Sequence, residues 1–483
     1  MRRSLALSLA VLLTAVSGSA IAGTLKNLTH QPPDGAIITM LMTDGTVLAQ
    51  GYGESDWYKL TPDNTGSYVN GTWKQIAGLP SGYSPDAMAE SVLADGRLII
   101  AGGEYNFDQF SFTNKSAIYD PIANTWTDVT PAKAPKFIGD SPSNVLPDGR
   151  FLVGEKFTNR TFVFDPTTMG WSELPSQHKQ DFNAEEGWEL LPDGSILTVD
   201  VKAHPQSERY VPSKGKWIDA GSTVVDLRGP QNCCGHCIPY GPKDKCYDPP
   251  GETGGAVLRP DGTVFAAGSV PEGEHIGHTA IYTPPSAGDK HGHWTAGPNF
   301  PNGDDSYDSP VTILPSGNVL VQGSSGTLYE FDGTSLTSQH VSTGGSLMNL
   351  PTGEILIAGS QVYQATGTYN QAWAPTISSS PSSVTRGQTY QISGTQFNGL
   401  SQGASLGDEF DSHTNYPLVR ITNKSTGHVF YARTHGHSTM GVATGSLPVS
   451  TNFDVPSGME TGASSLVVVA NGIPSLPADV TVN

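Results

Sequence analysis

Asn144-Val-Leu-Pro-Asp-Gly-Arg-Phe-Leu-Val153 is one instance of a pattern that runs through most of this chain. A short apolar stretch leads into an Asp-Gly pair and a second apolar stretch leaves it. Gly supplies the positive φ that a tight turn needs, and Asp-Gly between apolar runs is the strongest short-range signal for a two-residue β-hairpin. The same core, or a near relative, recurs at Asp44-Gly45, Asp95-Gly96, Asp193-Gly194, Asp261-Gly262, Ser316-Gly317 and Thr352-Gly353. Successive glycines are 51, 53, 45, 68, 55 and 36 residues apart. A period of about fifty residues marks propeller blades built on the kelch plan. Seven beats predict seven four-stranded blades in an all-β chain.

A second beat follows the first. An aromatic residue and an Asp-Pro or similar pair come after most turns, with a Trp further on: Tyr119-Asp120-Pro121 before Trp126, Phe164-Asp165-Pro166 before Trp171, Tyr282-Thr283-Pro284 before Trp294. This reads as a third strand, a turn set by Pro, and an outer fourth strand. The tryptophans read as filler between neighbouring blades rather than as sugar platforms. Thr24-Leu25-Lys26-Asn27-Leu28 resembles these outer segments, so the N-terminal strand is expected to close the last blade.

Residues 1–22 have the form of a secretory signal, with Arg2 and Arg3, an apolar run from Leu5 to Val16, and Ala20-Ile21-Ala22 before Gly23. That run is too short to span a bilayer, and no other run reaches about 18 apolar residues. The expectation is an exported protein, periplasmic or extracellular, with no membrane span. Lys and Arg number 26 against 45 Asp and Glu, a net charge of −19. Such a balance excludes nucleic acid as a partner by repulsion. The four cysteines, Cys233, Cys234, Cys237 and Cys246, share one short segment in the longest interval between beats. Export favours two disulfides, with three pairings open; a zinc site using Cys234-x-x-Cys237 is the rival.

The blade pattern ends near Ala374. A Ser-, Thr- and Pro-rich stretch follows Pro375, and then come new strands such as Tyr390–Ser393, Leu418–Ile421, His428–Tyr431 and Ser465–Ala470. Their spacing suggests an immunoglobulin-like β-sandwich. The expected organisation is a signal over 1–22, a propeller over 23–374 and a sandwich over 375–483.

Leu418-Val-Arg-Ile421, Thr434-His435, Phe453-Asp-Val-Pro456 and Val467-Val-Val-Ala-Asn-Gly-Ile-Pro-Ser475, together with the kelch beats, resemble the galactose oxidase and glyoxal oxidase superfamily. That resemblance implies a secreted seven-bladed kelch propeller followed by an immunoglobulin-like domain. In the family's oxidases it further implies one copper on the propeller axis. The metal is held there by a Tyr cross-linked to a Cys, a Tyr-His pair at a late inner strand, and a His sent in from the C-terminal domain. Here only His435, with His437 beside it, matches cleanly. The last inner strand begins Thr343-Gly344-Gly345, and Tyr307-Asp308-Ser309 echoes the Tyr-His pair one blade early with Asp for His. No blade begins with Cys. The copper-radical constellation is therefore expected to be missing.

Nine to eleven residues before the turn glycines stand Asp34, Asp86, Asp140, Glu185, Glu252 and Asp308. Six acids at one topological position would crowd the channel mouth, raise one another's pKa or recruit a hard cation such as calcium. The plainer reading is that several cap turns. His435-Gly436-His437 is read as a hairpin tip that carries one histidine towards these acids. Two classes of function follow. The first is a binding or surface-interaction protein for a glycan or another small molecule. The second is an enzyme: an alcohol or aldehyde oxidase with a rearranged copper site, or a hydrolase or lyase using channel carboxylates.

Overall fold

The structure, a computed structural model, describes residues 23–174, 179–230, 251–286 and 289–483. Residues 1–22, read above as a secretory signal, and Cys233, Cys234, Cys237 and Cys246 lie outside them. Among the described residues there is no α-helix, only strands and three short 3-10 turns.

The turns come first, because they carry the prediction. Gly149 has φ 88°, and its N–H donates to Leu146 O at 2.8 Å, while Leu146 N–H donates to Arg150 O at 2.9 Å. The loop therefore holds three residues, Pro147-Asp148-Gly149, and not the two expected. Pro147 sets the first φ, the Asp148 carboxylate accepts from Arg150 N–H at 3.1 Å, and only the last position needs the left-handed region. The same pair of backbone bonds recurs at Gly45, Gly96, Gly194, Gly262, Gly317 and Gly353.

Each turn joins the inner two strands of a small antiparallel sheet. Thr39–Leu41, Val47–Gln50, Trp57–Thr61 and Thr72–Gln75 form the first of these. Seven sheets each contain four strands of this kind among the described residues. The last is completed by Thr24–Asn27, which pairs antiparallel with Gln361–Gln364. The inner strand Thr39–Leu41 touches both Ala89–Val92 and Leu347–Asn349, so the first sheet meets the last and the series closes on itself. Tryptophans of the outer strands reach the preceding sheet. Trp126 Nε1 donates to Ala77 O at 2.9 Å, Trp171 Nε1 to Val129 O at 2.7 Å, and Trp294 Nε1 to Ser207 Oγ at 2.9 Å. Each indole thus buries its ring between two sheets and satisfies its one donor there.

The C-terminal residues build a nine-stranded curled sheet from Thr376–Ser379 to Ala478–Val482. It curls because Val429–His435 changes partner: Phe430 to Ala432 pair with Val419–Ile421, whereas Arg433 to His435 pair with Asn452–Asp454. This sheet meets the ring at the Asp-Gly turns. Thr434 N–H donates to Thr43 O, His437 N–H to Ala94 O and Met440 N–H to Pro147 O. Arg433 Nη2 donates to Asp95 O at 2.6 Å.

One stretch of the C-terminal part leaves the curled sheet. Residues 398–417 run along the inner strands and back. Ala404–Ser405 pairs antiparallel with Thr312 and Val311, a fifth strand on that sheet. Gln402 Oε1 accepts from Leu190 N–H at 2.6 Å and from Asn144 Nδ2 at 3.1 Å. Ser412 Oγ donates to Thr39 O at 2.7 Å, and the Tyr416 hydroxyl donates to Leu41 O. Polar and buried from Ser401 to Glu409, this segment fills the middle of the ring and satisfies its backbone there. Its climb from Ile313 to Val311 carries it away from the turns and towards the ends where the inner strands begin.

Candidate functional site

The inner strands begin at the end of the ring opposite the turns, and their acids gather there around a cation that sequence reading had not singled out. Lys156 follows the buried strand Phe151–Gly154, and its side chain is fully buried. Its ammonium lies 2.8 Å from Asp140 Oδ1, 3.0 Å from Glu185 Oε1 and 3.4 Å from Asp408 Oδ2. The rings of Phe112 and Phe157 stand 5.9 and 5.6 Å from Nζ. Burial alone would lower the Lys156 pKa, but the three carboxylates outweigh it and hold the ammonium well above its usual range.

Four further carboxyls share this field. Burial, with Asp140 nearby, pushes Glu104 up to about 8, and burial pushes Asp140 itself to about 6 despite Lys156. Burial and the neighbouring Glu185 push Glu252 to about 10, so Glu252 is protonated at neutral pH and donates to Glu185. The Tyr307 hydroxyl donates to Glu252, and Tyr307 is itself raised by burial and by that acid. Asp308 reaches solvent at the rim and is raised by its recessed setting and by Glu185. Glu409, at the tip of the climbing segment beside Asp408, is raised well above the carboxylate range by burial and by Asp408. One ammonium thus serves many acids, and those it cannot reach keep their protons. Gly229 lets Tyr307 pack tightly: a Cβ there would stand 2.9 Å from the Tyr307 ring.

Of the acids expected at the mouth, Asp140, Glu185, Glu252 and Asp308 converge. Asp34 does not: its carboxylate accepts from Gly53 N–H at 2.8 Å and caps that loop. Asp86 accepts from Ala87 N–H at 2.9 Å and is raised by burial and by Asp108. These two follow the plainer, turn-capping reading.

The histidines are a correction. His435 ends a strand of the curled sheet, and its Nε2 lies 3.1 Å from Asp454 Oδ1. The amides on either side of it bond to Thr43 and Ala94, next to the Asp-Gly turns, so it sits at the opposite end of the inner strands from the acids. His437 is buried, 2.8 Å from Thr451 Oγ1, and burial lowers it to about 3. The reason is register: this strand docks its end on the turns, while the segment that enters the ring is 398–417. His413 within that segment is buried, its Nδ1 3.2 Å from Gln402 Nε2 and its pKa lowered by burial to about 3. Copper would require imidazoles beside Tyr307, and none of these histidines bonds to Tyr307, Glu252 or Glu185. Among the described residues, these three histidines do not assemble with Tyr307 into a copper-radical centre. For calcium the donors are right, since ligand atoms of Asp140, Glu185 and Asp408 lie within 4.8 Å of one another. The Lys156 ammonium already stands among them.

The mouth also has an aromatic side. Phe110 and Phe112 stack edge to face at 4.5 Å, Phe112 and Phe157 at 5.3 Å, and Tyr105 adjoins Phe110 at 5.9 Å. A groove of about 620 Å³ lies elsewhere, between Gln371, Pro375 to Ser380 and Leu476 to Ala478, and contains no titratable group.

No family model matches the chain, and no curated protein sequence is detectably similar to it. Among solved structures, a fungal alcohol oxidase of the AA5 family, determined in complex with copper, superposes with a TM-score of 0.51 at 13% identity; the match covers 96% of this chain and 100% of the oxidase. A virginiamycin B lyase from Staphylococcus aureus superposes with a TM-score of 0.47 at 11% identity, over 71% of this chain and 99% of the lyase. At such identity the oxidase likeness establishes the fold alone: a β-propeller of the galactose oxidase-like kind. No helix among the described residues is long and apolar enough to cross a membrane.

Proposed function

We propose that this chain is an exported seven-bladed propeller with a C-terminal immunoglobulin-like domain that binds a glycan at its acid-lined mouth and performs no copper-radical chemistry. One observation carries the reading: the centre of the mouth holds a buried ammonium among Asp140, Glu185 and Asp408, with no imidazole bonded to that cluster among the described residues. Carboxyls that accept and donate hydrogen bonds, next to the Tyr105–Phe110–Phe112 aromatic edge, suit a hydroxyl-rich ring with one apolar face. The seven four-stranded sheets and the curled C-terminal sheet support the blade count and the second domain. Copper-loaded protein is expected to release no peroxide from galactose, other primary alcohols or small aldehydes. Peroxide release that is lost in Tyr307→Phe would overturn this reading and make the oxidase reading primary.

A second reading has its own observation. Glu252 is hydrogen-bonded directly to Glu185, so the two share a proton at a spacing too close for glycoside hydrolysis but suited to abstracting and returning a proton in a glycan elimination. On that reading, some member of a polysaccharide panel is turned over by the wild type, and Glu252→Gln lowers the rate by about 10²-fold or more. Binding without turnover across the panel leaves the binding reading in place.

A further inference from the structure

We infer that Lys179 and Glu186 are the two ends of an intramolecular amide cross-link that the chain forms by itself, without enzyme or cofactor. The two residues bracket the loop that brings Glu185 to the mouth. Lys179 Nζ lies 2.9 Å from Glu186 Oε1, and both side chains are fully buried. That approach leaves hydrogen-bonding capacity unused: neither Nζ nor Glu186 Oε2 has a hydrogen-bond partner among the described residues. The surroundings are aromatic. The Trp217 ring stands 5.2 Å from Nζ, Trp188 Nε1 donates to Glu186 Oε1 at 3.2 Å, and the two indoles lie 5.6 Å apart. The loop itself is tied down. Glu208 accepts from Gln180 N–H at 2.9 Å and from Asp181 N–H at 3.1 Å, and Phe157 N–H donates to Asn183 O at 2.7 Å. A nitrogen and a carboxyl are thus held in contact, the arrangement in which effective molarities reach ~10⁵ M or more.

The step balances with the groups present. Nζ passes a proton to Glu208 Oε2, 3.8 Å away, and its freed lone pair adds to the Glu186 carboxyl carbon. One carboxyl oxygen then leaves as water with the two protons that nitrogen loses in all. An N–C bond forms, a C–O bond breaks, and nothing is oxidised or reduced. Burial alone would lower the Lys179 pKa, but Glu186, Asp200 and Glu208 outweigh it, so the nitrogen rests as an ammonium. A reaction that happens once in the life of each molecule tolerates a small neutral fraction. Asp200, pushed by burial to about 8 and with Oδ1 unpartnered among the described residues, holds a proton beside the pair for the leaving oxygen. The product replaces a buried ion pair, whose desolvation is costly, with a neutral amide of one donor and one acceptor. The closed ring of residues 179–186 fixes Glu185 beside Lys156, whatever ligand the mouth takes. It also removes Glu186 from the buried carboxyls that titrate and leaves Glu104, Asp200, Asp411 and Glu252.

The test is the intact mass of the purified full chain, measured denatured and reduced. It should fall short of the mass its sequence requires by one water. Trypsin should fail to cut after Lys179 and should release residues 161–202 as a single peptide, whose fragment spectrum shows no backbone break inside the ring 179–186. Asp-Gly turns can also lose water, by closing to a succinimide, so Lys179→Arg is the control and should have its full mass. A water loss that persists in Lys179→Arg overturns the inference. So does a wild type of full mass that trypsin cuts after Lys179, and this measurement decides the matter even where the variant fails to fold.

Discussion

Lys156→Met is expected to lose about 3–5 kcal/mol of stability, because it leaves buried carboxyls without their cation. Methionine keeps the length of the side chain and its contact with Phe112 and Phe157, so packing changes little. What changes is charge. Asp140, Glu185 and Asp408 lie within 3.4 Å of the lost ammonium, in a place with almost no water. They must protonate or repel one another. Denaturant unfolding of the variant at neutral pH measures the loss. Two companions separate charge from packing. Lys156→Met combined with Asp140→Asn and Asp408→Asn should recover part of the deficit, because a neutral cluster has nothing left to compensate. Millimolar calcium should stabilise Lys156→Met and leave the wild type unmoved, since the three carboxylates already have the spacing of a hard-cation site. Calcium that stabilises the wild type equally would mean that Lys156 is not the resident cation.

This cluster marks the point where sequence reading stopped. The repeating turns were legible because a left-handed residue followed by an apolar strand leaves few alternatives to Gly. Even the error there was small: Pro147, placed first in a three-residue loop, reads almost like the last residue of a strand. The acids that precede the inner strands were legible from their common offset, and four of six converge. Asp34 and Asp86 have the same offset, but their carboxylates are taken by the amides of Gly53 and Ala87, a choice made by local loop geometry that spacing does not encode. Lys156 was hidden because a lysine after an apolar strand usually reaches solvent. The segment 398–417 was hidden for the opposite reason. Its polar run, with Asp408, Glu409, Asp411 and His413, has the composition of a surface loop, yet it is buried among inner-strand polar groups such as Asn144 and Thr312. The one available hint was its length, some twenty residues with little strand pattern, longer than compact domains ordinarily leave unstructured. The resemblance assigned the entering role to His435; the register of Val429–His435 on the Asp-Gly turns gives that role to another loop.

Raising the pH from about 6.5 to about 8.5 should destabilise the protein, against the common expectation of flat stability across this range. Several buried carboxyls have folded-state pKa values above their unfolded ones. Burial pushes Glu104, Asp200 and Asp411 to about 8, Glu186 to about 7 and Glu252 to about 10. Glu90, Glu189 and Glu409 are raised in the same direction by burial. In the unfolded chain all of these ionise near the ordinary carboxylate value of about 4. Between the two values the folded state holds protons that the unfolded state has released. Stability from such groups is complete below the unfolded pKa and is lost as pH rises through the folded one. Each group contributes up to about 1.4 kcal/mol per pH unit within its window. His413 and His437 act in the opposite sense, since burial lowers both to about 3. Their unfolded pKa is about 6.5, so their stabilisation is complete above that value and is lost only as pH falls below it. Above pH 6.5 these two histidines are silent; His278, raised by its hydrogen bonds to Glu274 and Asn299 despite burial, adds a loss of the same sign as the carboxyls. Denaturant midpoints taken at half-unit steps should fall steadily through this range, and Asp411→Asn, whose amide cannot ionise, should flatten the slope. A midpoint that stays constant or rises with pH would show that these acids are ionised and compensated in the folded protein, and the picture of an ammonium-poor, proton-holding channel would have to be abandoned.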